Sequence, residues 1–502
     1  MCGIVALWNA GSAEVAAGMT RKIAHRGPDE FAIGQVGDGP GILGHCRLSI
    51  IGPDNGRQPI HHGGAALVVN GEIYNHLDLR AILGADRFRT ASDSEAVIQF
   101  FDAASNGIVS GRWIDRLDGM FAFVLCDGER LIAARDPLGI KPLYMAPMGA
   151  GLVFASEVKA FDGVAVGDIA AVPPGHLFDT RSGLRRWHRT PQGAASPEQD
   201  LDVDDLVREL RLVLEDAVRK WSMSDVGFGC FLSGGLDSSI IAALANRMLG
   251  GGLRTFAVGT EGSPDLLAAR RVAAHIGSQH HELRFTAVEI AGAFDEVIYH
   301  LESPDVDLVR SAVPTHFAAQ LASRHVKVTL TGEGADELFA GYAYHKRYAG
   351  HPAALAKEIT RSLGTMHNIN LQRVDRITMA HGLEARTPFL DRDLIAFAQT
   401  IPAELKLFQE PNGRIVEKWI LRKACEDLLP ADIVWRTKAQ FDEGSGTVDC
   451  LQRALQMATG VVGDVERTDE ARFYRSVVER HYTDPQRIFA TAGTWASDRI
   501  LA

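Results

Sequence analysis

The pattern of apolar and polar positions changes character near residue 190. Upstream, short apolar runs (Gly3–Trp8, Gly44–Ile51, Ala65–Asn70, Phe121–Cys126, Leu131–Ala134 and Leu152–Ala155) alternate with Gly and Asp-Gly punctuation. Such runs predict a sheet-rich or sandwich domain. Downstream, Val226–Leu232, Arg254–Val258, His281–Phe285 and Val326–Leu330 predict strands separated by helices. Ile240, Ile241, Leu244 and Met248 share one face of the first of these helices, and Pro264–Ile276 forms a second amphipathic segment. Strand–helix alternation implies a parallel α/β sheet. Beyond about residue 340 the pattern is mainly helical. The polar, acidic stretch GAASPEQDLDVDD (193–205) reads as a linker, giving an N-terminal domain over 1–190, a linker over 191–205 and a C-terminal domain over 206–502.

Composition narrows the function classes. A chain of 502 residues is too long for one ordinary core. Hydrophobic content of 46% and charged content of 23% match a soluble globular protein. A net charge of −11 argues against a nucleic-acid or membrane-surface partner, though not against anionic small ligands held by local dipoles or a metal. No apolar run reaches membrane-spanning length, and the N-terminus lacks a signal-peptide pattern. Six cysteines without a C-x-x-C pair suit reduced thiols, so a cytoplasmic location is expected.

Two acidic, glycine-rich loops carry the chemistry of the second domain. FLSGGLDSS (231–239) falls where a strand gives way to a helix. Its glycines allow a tight turn that gathers N–H groups, and Ser233, Ser238 and the helix N-terminus add to an anion site. Asp237 would repel a bare phosphate but suits one bridged by Mg²⁺. With no G-x-x-x-x-G-K-[ST] present, the string resembles the pyrophosphate loop of ATP pyrophosphatases rather than a kinase-type loop. TGEGADE (331–337) follows the strand at 326–330 and falls at the carboxyl end of the same sheet, where open α/β folds place ligands. It offers Asp336 as a second metal-facing carboxylate and Glu333 as a general base. Lys438 and Arg310 are candidates to neutralise departing pyrophosphate.

The first domain opens MCGIVALWN. Trimming of the initiator methionine would leave Cys2 with a thiol and an α-amine of intrinsic pKa near 8, a nucleophile that brings its own base. Arg47 can grip a carboxylate in a bidentate pair. The Asn70 amide and Gly71 N–H suit an oxyanion, and Glu72 and Asp93 can hold an ammonium. A thiol, an oxyanion hole and clamps for both ends of an amino acid describe a glutaminase.

MCGIVALWN, AHRGPDE (24–30), HCRLSI, VNGEIYNH, GMFAF (119–123), ARDPLGIKPLY (134–144), ASEVKA (155–160), SGGLDSS, FAVG (256–259), TGEGADE, GLEARTPFLD (382–391) and WRTKAQF (435–441) occur in order. Through them the chain resembles the glutamine-dependent asparagine synthetases from residue 1 to about 446; the tail from Thr447 to Ala502 adds nothing to the match. The resemblance implies an α/β two-domain protein: an Ntn-type α-β-β-α sandwich glutaminase of class II, then a parallel α/β ATP-pyrophosphatase domain with a helical C-terminal part. It implies that Cys2 attacks the glutamine amide, that Asn70 and Gly71 hold the oxyanion, and that Arg47, Glu72 and Asp93 hold glutamine. Ammonia would cross an internal tunnel, kept dry because only the unprotonated form is nucleophilic. In the second domain ATP would activate a carboxylate as an acyl-adenylate. Ser233, Gly234, Gly235, Asp237, Ser238, Val258, Gly332, Arg310 and Lys438 would contact ATP or pyrophosphate. Asp237 and Asp336 would bind Mg²⁺, and Glu333 would take the proton of the attacking ammonia. ATP, Mg²⁺, glutamine and a carboxylic acid such as aspartate are the implied cofactors and substrates, with a homodimer as the usual assembly.

One departure concerns the acceptor. In PDVDLVRSAVP (304–314), Asp307 and Leu308 stand where the family carries a Thr-Thr pair. Aspartate is the expected acceptor, and the alternative is an amide synthetase for another carboxylic acid. A β-lactam synthetase typically lacks the N-terminal cysteine, a plain glutaminase would not need SGGLDSS, and a non-catalytic scaffold would have lost some of these positions. HHEL (280–283) lacks the second histidine of H-E-x-x-H and reads as an ordinary strand segment.

Overall fold

Strand Cys2–Trp8 shows why the first domain becomes a sandwich. Ile4, Ala6 and Trp8 share an apolar cluster with Ala66, Val68, Ala122 and Val124 of a second sheet, while Val5 and Leu7 pack with Ala16 and Met19 of helix Ala13–Lys22. Alternate side chains point to opposite faces, so a strand buried on both sides feeds two apolar layers. The second sheet repeats the device. Leu67, Val69, Phe121 and Phe123 face Val97, Phe100 and Phe101 of helix Glu95–Ser105, leaving their neighbours for the inter-sheet layer. The result is the expected helix–sheet–sheet–helix order. The structure is a computed structural model and describes residues 2–191, 202–436 and 446–493.

Both sheets are antiparallel. In spatial order the first runs Ala170–Ala171, Tyr144–Met148, Gly151–Ala155, Cys2–Trp8, Gly41–Arg47, Glu30–Gln35. The second runs Gly183–Arg186, His176–Asp179, Leu131–Arg135, Gly119–Cys126, Ala65–Ile73, Ile60–His62. The run expected to continue as a strand to Ile51 instead leaves the sheet after Arg47. The carbonyls of Ile51, Gly52 and Pro53 turn back to accept from the Arg47 guanidinium at 3.3, 2.7 and 3.2 Å. A buried arginine needs such acceptors, and they outweigh strand continuation.

The second domain carries a five-stranded parallel sheet, ordered Gln279–Arg284, Arg254–Gly259, Phe228–Phe231, Val328–Leu330, Glu384–Arg386. The first four correspond to the expected strands. The last escaped the hydrophobic pattern because two of its three residues, Glu384 and Arg386, are charged yet fully buried. HHEL lies on the edge strand Gln279–Arg284, as its period suggested. Helix Pro264–Ile276 has Pro at its start, a Ser263 cap accepting from the Leu266 N–H, and Gly277 at φ +69° after its last turn. In the tail, helices Thr447–Thr459 and Arg467–His481 place Leu451, Tyr474 and Val478 in the core formed by helices Ala287–Leu301 and Val306–Ser323. No helix among the described residues is long and apolar enough to cross a membrane.

A buried ionic network joins the domains. Arg26 donates to Glu157 at 2.5 Å and to Asp375 at 2.8 Å, and Arg376 meets Glu157 at 3.3 Å and Glu302 at 3.0 Å. Lys159 adds contacts to Glu157 and Glu302, and Lys141 lies 3.5 Å from Asp375. Arg26, Lys141, Glu157 and Lys159 come from the first domain and the others from the second. Charges this deep persist only when they are paired and hydrogen-bonded.

Candidate active site

In the first domain, strand pairing sets Cys2 directly across from Arg47. The Cys2 N–H donates to Asn70 Oδ1 at 3.2 Å. Asn70 Nδ2 is fully buried and has no hydrogen-bond partner among the described residues. An orphaned donor carries a desolvation cost of about 1–3 kcal/mol, which a developing oxyanion would relieve. Gly71 must be glycine: its φ is +140°, and a Cβ would lie 2.0 Å from the Met120 carbonyl. Burial pushes the Cys2 thiol up, against the lowering influence of the N-terminal charge, the Leu48 N–H and Arg47.

Glu72 and Asp93 lie beyond this pair. Burial, then Glu384 and Asp93, push Glu72 well above the usual carboxylate range, and its Oε2 has no partner among the described residues. Burial brings Asp93 to about 6, although the Ile73 N–H donates to it at 2.6 Å. Two crowded acids are poised for a cation such as a ligand ammonium. The second domain closes this side: Arg386 Nη2 lies 3.6 Å from Glu72, and its Nε donates to Glu384 at 2.5 Å. Arg386 and Glu384 carry no local motif that marks them as neighbours of the first domain's pocket.

In the second domain, the chain turns after strand Phe228–Phe231 with Gly234 at φ +74°, where a Cβ would strike the Ala269 N–H at 2.5 Å. Ser233 and Ser238 hydroxyls lie 3.0 Å apart, and the Ser233 N–H donates to Ser238 Oγ at 3.2 Å. Gly235 caps helix Leu236–Met248 without a side-chain bond, leaving its first N–H groups directed into the turn. Gly332 brings the TGEGADE loop against it; a Cβ there would meet Ser238 N at 2.7 Å. Asp237 and Asp336 thus face one another, and Lys418 Nζ sits between them at 2.5 and 2.6 Å. Asp237 Oδ1 is buried without a partner among the described residues. Lys418 is itself buried; burial would lower its pKa, but the two aspartates hold it above the usual lysine value. It is the residue that motif reasoning missed, since nothing in VEKWILR marks it.

The other expected residues divide. Glu333 accepts from Arg373 Nη2 at 2.5 Å, and Arg373 Nη1 donates to Thr315 at 3.2 Å. Val258 lies buried on strand Arg254–Gly259, next to the strand that feeds the Ser-Gly-Gly turn. Arg310 is engaged elsewhere: its Nε and Nη2 donate to the fully buried Glu470 of the tail helix at 2.9 and 2.6 Å. Asp307 pairs with Arg467 at 2.7 Å, while Leu308 is buried in the apolar core with Ile290 and Phe294. Lys438 lies outside the described residues.

Residues 1–172 match the sequence model of the glutamine amidotransferase domain, and residues 209–355 and 349–500 match that of asparagine synthase. The chain belongs to the asparagine synthase family. Glutamine-hydrolysing asparagine synthetase from Asparagus officinalis is 38% identical over 530 residues, covering 98% of this chain and 88% of that protein. Glutamine-hydrolysing asparagine synthetase 2 from Arabidopsis thaliana is 39% identical, covering 92% and 84%. The family match runs on to residue 500, so the tail, left outside the resemblance on motifs alone, is part of it. Among solved structures, a B. subtilis glutamine phosphoribosylpyrophosphate amidotransferase has a TM-score of 0.33 at 21% identity, covering 52% of this chain and 67% of that one. NMN synthetase from Francisella tularensis has a TM-score of 0.25 at 14% identity, covering 56% and 95%. Likenesses this low carry no argument.

Proposed function

We propose that the protein is a glutamine-hydrolysing, ATP-dependent carbon–nitrogen ligase that converts aspartate to asparagine. The observation that carries this reading is that one chain builds both reaction centres: a thiol beside an unpartnered amide donor, and two facing aspartates at a Ser-Gly-Gly turn. Relatives named asparagine synthetases over nearly the whole chain favour aspartate over another acid. The ion pair of Asp307 with Arg467 and the burial of Leu308 among apolar side chains support the same choice.

In the first centre, with Met1 removed, the Cys2 α-amine takes the thiol proton as the sulfur attacks the glutamine amide carbon, and passes it to the departing nitrogen. Asn70 Nδ2 and the Gly71 N–H receive the negative charge on oxygen, and the C–N bond breaks to release ammonia. Water then cleaves the thioester to glutamate. Arg47 grips the glutamine α-carboxylate, and Glu72 and Asp93 hold its ammonium. In the second centre an oxygen of the aspartate side-chain carboxylate attacks the α-phosphorus of ATP, and pyrophosphate leaves. Ammonia attacks the acyl carbon, its proton passes to Glu333, and AMP departs. Ser233, Gly234, Gly235, Ser238 and Gly332 shape the phosphate cradle, Val258 borders the adenine, and Lys418 and Lys438 neutralise pyrophosphate. Arg310 acts from behind as a brace to the tail.

Asp237 and Asp336 fit a Mg²⁺ ion, being hard oxygen donors that face each other with Asp237 Oδ1 unpartnered. When bound it would neutralise phosphate charge. A boundary between domains at 191–205, a cytoplasmic setting and a homodimer complete the proposal. Six free thiols support the setting. The test is pyrophosphate release with ATP, Mg²⁺, glutamine and L-aspartate, alongside a panel of other carboxylic acids. Release with aspartate and asparagine by mass spectrometry is expected; turnover only with another acid would overturn the reading.

A further inference from the structure

Two helices and a turn of the second domain converge on two histidines. His316 lies on helix Val306–Ser323 and is buried; His381 lies in the turn after helix Asn370–Met379 and is partly exposed. His381 Nε2 and His316 Nδ1 stand 3.1 Å apart, with ring planes inclined at 61°. Glu296, exposed on helix Ala287–Leu301, brings a carboxylate oxygen to within 4.8 Å of a ring nitrogen of each histidine. The turn is fixed by backbone bonds from His381 N to Thr378 O and from Leu383 N to Thr378 O, and by Gly382 at φ +62°.

Those distances match what a small ion asks of its ligands. At zinc–nitrogen distances of about 2.0–2.1 Å, two ligands of a tetrahedral ion stand roughly 3.3 Å apart. The histidine pair is already at that spacing, and an exposed glutamate rotamer closes the remaining gap. Two imidazoles and one carboxylate suit borderline divalent transition metals over Mg²⁺ or Ca²⁺. Arg324 and His300 are the other groups whose charge reaches the pair, Arg324 opposing a cation and His300 opposing it only when protonated. Glu296 offsets them and acts on His316 in the opposite sense.

We infer that Glu296, His316 and His381 form a binding site for a zinc-like divalent transition metal, with the fourth position open to water. The ion acts as a clamp. It ties the helices carrying Glu296 and His316 to the turn carrying His381, and His316 follows Thr315 directly, whose hydroxyl receives Arg373, the residue that holds Glu333. Metal loading therefore stiffens the support of the general base without entering the reaction.

The test uses the chelator-stripped full chain, titrated with Co²⁺ in excess Mg²⁺ so that the aspartate pair is occupied. Expected are visible absorption bands of a four- or five-coordinate site, saturating at one Co²⁺ per chain and displaced by Zn²⁺. In His381→Gln and Glu296→Gln, both altered at solvent-accessible positions, Co²⁺ affinity should fall at least about tenfold. Zn²⁺ should raise the Tm of the parent protein and not of these variants. A buried His316→Gln that fails to fold leaves the other two decisive. No saturable band, bands unchanged in both variants, or sulfur-to-cobalt charge transfer indicating cysteine ligation would each overturn the site. The pair would then be a histidine–histidine hydrogen bond.

Discussion

Arg26 and Asp375 meet across the domain interface with both side chains buried, the guanidinium donating to the carboxylate at 2.8 and 3.2 Å. Arg26 Nε also donates to the Cys2 carbonyl at 3.0 Å, so the same guanidinium touches the backbone of the proposed nucleophile. Position of the thiol and docking of the synthetase domain are thereby tied to one residue. Removing one partner of a buried pair costs about 3–5 kcal/mol. Asp375→Asn should lower stability by that order and depress glutamine-dependent synthesis more than ammonia-dependent synthesis. Denaturant unfolding and paired assays with the two nitrogen sources check this; equal losses of both activities would contradict it.

The same network sets an acid limit. Burial alone would raise Asp375 and Glu157, but Arg26 and Lys141 hold Asp375 below the usual carboxylate range, and Lys159, His25 and Arg376 hold Glu157 well below it. Carboxyls depressed in the folded state stabilise above their unfolded pKa, near 4, and lose that contribution as pH falls through the folded values. The contribution of the two carboxyls to calorimetric Tm should be flat from pH 7 to about 5 and fall below about 4, while His25, held below the ordinary imidazole value by burial, removes stability as pH falls through about 6.5. In Asp375→Asn the acid drop should be smaller.

Lys418 holds Asp237 and Asp336 together beside the Ser-Gly-Gly turn. Lys418→Met leaves Asp237 and Asp336 in mutual repulsion and removes a cation from the proposed pyrophosphate site. Loss of a preorganised charge of this kind typically costs 10²–10³ in rate. Aspartate-dependent pyrophosphate release should fall at least about 100-fold with either nitrogen source, while glutamine hydrolysis by the first domain persists.

Asn70 Nδ2 is buried without a partner among the described residues, and it is the donor proposed for the oxyanion. Asn70→Ala should reduce glutaminase kcat by about 10²–10³ with KM for glutamine little changed. Ammonia-dependent asparagine formation should survive. Cys2→Ala should give the same split more completely, measured as glutamate release and as asparagine formed from ammonium salts.

Glu470 tests the role of Arg310. Glu470→Gln removes the negative charge of the fork and leaves one acceptor oxygen where Arg310 and the Tyr474 hydroxyl, at 2.9 Å, now share two. If Arg310 serves as a brace, Glu470→Gln and Arg310→Lys should destabilise alike by about 2–4 kcal/mol, with matched losses of pyrophosphate release. A normal Tm in Arg310→Lys with lost release would place Arg310 on pyrophosphate instead.

Much of this protein is local in origin. Period-two runs such as Cys2–Trp8 and Ala65–Ile73 must bury two faces, and Ser-Gly-Gly or Gly-Glu-Gly after a strand must turn, because only glycine reaches those dihedral angles or tolerates the neighbouring backbone. Sequence by itself therefore determined the sandwich, the parallel sheet, the strands bearing Cys2 and Asn70, and the turns that lead into the helices bearing Asp237 and Asp336. Tertiary structure alone decided the rest. It put Lys418 between two aspartates far away in the chain, committed Arg310 to Glu470, and made Glu384–Arg386 a buried strand beside Glu72. The physical reason is that a buried charge takes whichever partner the packed fold brings within hydrogen-bond reach, and no local pattern of side chains records that partner.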